Sequence, residues 1–141
     1  MRNIKSVSAL LTLITVSLLF SGIAFGNSDY YSSVQKICNA YQVSVDYDRM
    51  NLMDLEAGDK EFTLSVKSTR GQFDRVMLVS FYAAGKAMNY HKEPIRKVTV
   101  IISVEYKGTQ NIVANATREI IMKFVNGELT STEFVRRVKF D

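Results

Sequence analysis

The chain has 141 residues, 47% of them hydrophobic and 23% charged, with 18 Lys and Arg, 14 Asp and Glu, one His and one Cys. A single cysteine excludes an internal disulfide framework, and one His with one Cys cannot assemble the usual zinc ligand sets. The formal charge of +4 overstates any attraction to nucleic acid, because two of the cations lie in a segment expected to be removed.

That segment opens the chain. Arg2 and Lys5 precede an apolar run from Val7 to Phe20, and the small-residue stretch Ser21 to Gly26 follows it. A cationic start, a short apolar core and a small-residue exit are the features of an export signal, and Ala24 and Gly26 suit the two small pockets of a signal peptidase. Residues 1–26 are therefore read as a cleaved signal peptide with cleavage before Asn27. Cleavage after Ala24 and retention as an uncleaved anchor are the alternatives. Residues 27–141 form the expected mature part, 115 residues and one α+β domain, enough for one core. Its charge falls to +2 once Arg2 and Lys5 are gone. The expected location is periplasmic or secreted, with no membrane span after cleavage.

In the mature region, Tyr30, Val34, Ile37, Cys38 and Tyr41 recur at helical spacing, which predicts a helix from about Asp29 to Tyr41. Val43, Val45 and Tyr47 alternate and predict a short strand; the acidic stretch that follows, to Glu61, reads as a loop. Phe62, Leu64 and Val66 alternate with Thr63, Ser65 and Lys67, a half-buried strand. Thr69 and Gln72 have capping-box spacing. A wide apolar stripe then runs from Phe73 through Met88, predicting a long buried helix over about Gln72 to Tyr90 that stops before Pro94.

Val98, Val100, Ile102, Val104 and Tyr106 form the dry side of the next strand, and the long helix is the slab expected to cover it. Gly108 sits in a hairpin turn. The second hairpin strand runs to about Thr117, a helix capped by Gly127 follows, and Thr130 with Glu133 opens a last short helix. This order predicts a mainly antiparallel small sheet with helices packed on one face, a β-α-β-β core flanked by an N-terminal helix and C-terminal helices. The β-α-β-β order resembles ferredoxin-like and envelope-domain topologies, without a residue-level match that would imply a function.

Each candidate for chemistry has a simpler reading. Cys38 shares the apolar stripe of the first helix, where a thiol behaves as a small hydrophobe; the competing readings are an intermolecular disulfide and a nucleophile activated by His91. His91 falls at a helix end, where a cation is favoured by the helix dipole. Asp46 and Asp48 open like a calcium loop, but Met50, Asn51 and Ala57 occupy positions that need oxygen ligands or glycine, which excludes an EF-hand. Ser68 to Gly71 lead into a helix start without a phosphate-loop pattern, and turn duty suffices. Asn115 and Thr117 match a glycosylation sequon inside a predicted strand. No pair of carboxylates is singled out for glycoside hydrolysis, and no G-x-S-x-G motif is present.

Charge is uneven. Asn27 to Glu61 carries three cations and seven anions, whereas Phe62 to Asp141 carries thirteen cations and seven anions, among them Arg96, Lys97, Arg136, Arg137 and Lys139. A solvated face explains this, and an acidic partner or lipid surface is the alternative. No aromatic-basic motif points to nucleic acid. The function expected from the sequence is an exported, non-enzymatic domain that binds a protein, an envelope component or a small ligand. No catalytic, cofactor-binding or metal-ligating residue is assigned, and no cofactor is expected. A small secreted hydrolase whose residues converge only in the fold, and an envelope assembly protein, are the alternatives.

Overall fold

The computed structural model describes residues 28–141. The expected signal peptide and its cleavage site lie outside these residues. Helix α1 covers 28–40 and ends where Gln42 turns left-handed at φ 62°. Its last turn is closed by Gln42 N–H donating to Asn39 O and Val43 N–H donating to Cys38 O, a Schellman arrangement that satisfies two otherwise orphaned carbonyls. The chain then passes through 43–46 and a 3-10 turn at Tyr47–Arg49 into strand β1, Met50–Asp54. A second 3-10 turn at Glu56–Gly58 leads to strand β2, Lys60–Thr69, and a third, Arg70–Gln72, to helix α2, Phe73–His91. Strands β3, Ile95–Glu105, and β4, Thr109–Thr117, form the hairpin; helices α3, Arg118–Val125, and α4, Ser131–Arg137, and the short strand β5, Lys139–Phe140, complete the order.

The five strands lie in sequence order across one sheet. All neighbours are antiparallel except β2 and β3, which the helix between them makes parallel. This is the expected α+β fold with a mostly antiparallel sheet. The ferredoxin-like resemblance does not extend to strand order, since β2 and β3 are direct neighbours and the βαβ unit is not split.

Alternation decides which face is covered. Phe62, Leu64 and Val66 of β2, Val98, Val100 and Ile102 of β3, and Ala114 and Ala116 of β4 are buried on the helix side. Against them α2 presents Val76, Met77, Phe81, Ala84, Ala87 and Met88, all buried, so the long helix covers β2 and the first hairpin strand, β3, as the alternation implied, while α3 packs on β3 and β4. The other face carries a polar row of register partners, Asn51, Thr63, Thr99, Asn115 and Lys139, beside the half-buried apolar pair Ile101 and Val113. Gly85 of α2 faces helix α3. A Cβ there would meet Val125 Cγ2 at 2.5 Å and Ile121 Cγ2 at 2.7 Å, so the missing side chain admits α3 and not the hairpin.

Several sequence expectations are corrected. Tyr106 leaves the dry row because β3 ends at Glu105; it is 57% exposed, with the Arg70 guanidinium 4.9 Å from its ring centre. The capping box at Thr69 does not form, because Gln72 Oε1 accepts from Arg75 Nε instead. The one at Thr130 does form, with Glu133 N–H donating to Thr130 Oγ1 and Thr130 N–H to Glu133 Oε1. The acidic loop contains the edge strand β1, which sequence pattern hides because only Met50 is fully buried in it.

Candidate functional site

The reactive groups singled out in the sequence are not brought together. Helix α1 runs antiparallel to α2: Tyr30 O–H donates to Ala84 O near one end, and Arg75 Nη1 donates to Tyr41 O near the other. Cys38 therefore lies toward the start of α2 and His91 at its end. His91 Nε2 is 2.6 Å from Ser33 Oγ, one and a half turns before Cys38 on α1. Cys38 is fully buried, and burial pushes its thiol up to about 12, so at neutral pH it is a protonated core group.

The Ser33–His91 contact is one that sequence spacing could not find, since 58 residues separate its members. It has the distance of a nucleophile and its base. The rest of a hydrolytic site is missing among the described residues: no carboxylate hydrogen-bonds the ring, and neither residue lines a cavity described below. The pair ties α1 to the end of α2. Among the described residues no group of three or more His, Cys, Asp and Glu is placed to hold a metal ion, and no helix is long and apolar enough to cross a membrane. Asn115 is also structural: its Oδ1 accepts from Thr99 Oγ1 at 2.6 Å, and its Nδ2 donates to Asp141 Oδ2 at 2.7 Å. Both ends of the amide make a hydrogen bond inside the fold and the residue is buried, so in the folded chain the sequon is not displayed at the surface.

Two cavities stand out among the described residues. The smaller, about 280 Å³, sits where β4 and β5 meet α3 and α4 and gathers Lys97, Arg137 and Lys139 from the basic part of the chain. Its positive character is offset: Lys97 Nζ is 3.5 Å from Glu61 Oε1, and Asp141 lines the same space.

The larger is a cleft of about 550 Å³ between residues 42–49 and the second half of β2. One wall is β2 from Ser65 to Thr69, continued by Gln72, Arg75 and Val76 at the start of α2; the other is Gln42, Val43, Ser44, Asp46 and Arg49; Ser103 and Glu105 of β3 also line it. Its origin lies in the register. Strand β1 pairs with β2 only as far as Met50 opposite Leu64, because the turn at Tyr47–Arg49 takes the preceding chain off the sheet. Beyond Leu64, β2 is paired on its β3 side alone. The lining is mostly hydroxyls, amides and charges of both signs, Arg49, Lys67 and Arg75 against Asp46 and Glu105. Among the described residues neither Arg49 nor Lys67 forms an ion pair, while Arg75 is held by Gln72 and Tyr41 O. Such a surface offers hydrogen bonds of both kinds.

Compared with known proteins, the chain matches no family model, and no curated protein or solved structure is significantly similar to it.

Proposed function

We propose that the chain is an exported, non-enzymatic binding domain whose partner docks in the cleft between residues 42–49 and the second half of β2. The observation that carries this reading is the cleft itself: about 550 Å³, within the usual range for a binding site, lined by polar groups from β2 and from residues 42–49. The sequestered Cys38, and the lack among the described residues of a carboxylate on the His91 ring or of either cavity at the Ser33–His91 pair, argue against the hydrolase reading. Export is supported by Arg2 and Lys5 ahead of the apolar run Val7 to Phe20. The partner is accordingly an envelope or extracellular protein.

The test is a comparison of captures from envelope extract. The purified protein is set beside Ser44→Trp, which places a bulky ring on an exposed position of the cleft wall. The expected result is one identified protein held by the wild type and lost by the variant at unchanged melting temperature. Equal capture by both proteins contradicts the assignment of the cleft.

A further inference from the structure

We infer that the cleft is the seat of one extended peptide strand from a partner protein, hydrogen-bonded to β2 at Ser65–Thr69 on one side and to Ser44 and Asp46 on the other. This rests on the binding role proposed above and specifies its mode.

Both walls are strands short of a neighbour. Successive residues of a strand aim their backbone groups to opposite sides, so part of Ser65–Thr69 presents N–H and C=O groups to the cleft. No backbone hydrogen bond from the other described residues reaches that edge. The far wall is residues 43–46, the segment whose alternation predicts a strand. Its burial does alternate, with Val43 and Val45 buried and Ser44 and Asp46 exposed, but it joins no sheet. Val43 N–H donates to Cys38 O and Val45 O accepts from Gln35 Nε2, so the odd residues spend backbone groups on α1. In an extended segment Ser44 and Asp46 then aim theirs the opposite way, and both residues line the cleft. Asp46 is extended, with φ −80° and ψ 139°; its C=O accepts from Arg49 N–H at 3.0 Å, so its N–H, without a partner among the described residues, is the group it offers to the cleft.

A strand laid in this slot would continue the line of β1 and make 43–46 an outer strand of the sheet. Five residues paired with Ser65–Thr69 need roughly 17 Å of extended chain. Two walls also select the occupant. The edge of a second copy already carries its own neighbouring strand on one side and cannot enter between two walls, whereas a free extended segment can. Three cations, Arg49, Lys67 and Arg75, line the cleft beside Asp46 and Glu105, and Arg75 is held by Gln72 and Tyr41 O, so net charge in the cleft is small and affinity comes mainly from the main-chain ladder, which tolerates varied side chains.

The experiment selects random dodecapeptides displayed on phage against the purified protein and resynthesises the enriched sequences. Bound peptide is expected to slow amide exchange within Ser65–Thr69 and at Ser44 and Asp46. Asp46→Pro removes one cleft-facing N–H at a φ that proline accepts, and Asp46→Ala removes only the carboxylate. Losing one ladder bond is expected to weaken binding by about tenfold in Asp46→Pro, with Asp46→Ala near wild type and both folded by melting. Equal losses in the two variants overturn the inference in favour of carboxylate recognition. Cleft protection with wild-type affinity in Asp46→Pro overturns strand pairing but leaves cleft binding standing. Protection confined to another surface, or no enriched peptide, also overturns the inference, while the capture experiment continues to judge the cleft on its own terms.

Discussion

The two halves of β2 both pair with β3, in unbroken register from Glu61 onward, and differ on the other edge. From Lys60 to Leu64 the strand is flanked by β1, whose own outer edge is partly closed by Leu52 N–H donating to Tyr31 O–H at 2.7 Å. From Ser65 to Thr69 there is no such neighbour, and a cleft stands in its place. Since unpaired strand edges are sites of adhesion that folded proteins normally shield, the contrast separates a half of β2 that holds the fold together from a half available to a partner.

Substitutions in the closed half should cost most. Phe62 is fully buried with its ring edge-on to Tyr30 at 5.0 Å. Phe62→Ala is expected to lose about 3 to 5 kcal/mol in urea unfolding, whereas Lys67→Ala in the open half should stay within about 0.5 kcal/mol. Comparable losses at the two positions would erase the distinction.

The support beneath the far wall of the cleft is tested by pH. Cys38 accepts the Val43 N–H at the end of α1 and is buried there. An unfolded thiol ionises from about pH 9, but the native one holds its proton to about pH 12, so the native state binds more protons across that window and stability falls as pH rises. Tyr30, raised chiefly by burial, adds to the fall at its upper end. The loss should reach the order of a few kcal/mol, and urea midpoints measured from pH 8 to 11 should decline less steeply in Cys38→Ala. Superimposable slopes would mean that the thiol is not sealed.

A smaller effect is expected from Gly85→Ala, where the new methyl group must push Val125 and Ile121 aside. A cost of about 1 to 3 kcal/mol is expected, with the peptide affinity of the surviving native fraction unchanged because the site is remote from the cleft. Tyr31→Phe should cost about 1 kcal/mol by leaving Leu52 N–H without its acceptor. It should also speed exchange at the Leu52 amide, making the closed edge behave more like the open one.

The parts of this fold that could be read from sequence are those whose pattern repeats locally. Phe62 through Val66, the stripe of α2 and the row Val98 to Val104 each declare a period, and the covering of β2 and β3 by α2 follows from the apolar area they share. Strand β1 is not legible in the sequence because its partner, β2, supplies the pairing while Asp54 and exposed Met53 disguise the alternation. At two residues, β5 is too short to show a period. The segment Val43 to Tyr47 was misread in an instructive way: its burial follows strand alternation through Asp46, yet it lacks a neighbour. The cleft was invisible for the same reason, since it depends on where one register ends, at Met50 opposite Leu64, and no local pattern encodes the end of a pairing. Likewise Ser33 and His91 meet only because α1 and α2 run antiparallel.

Residue-resolved amide exchange along β2 in the free protein is the most direct measurement of the contrast. Uniformly slow exchange is expected from Lys60 to Leu64, and alternating slow and fast amides from Ser65 to Thr69, where every second N–H faces the cleft. Uniform protection along all ten residues would contradict an open edge, and with it the binding role assigned to the cleft.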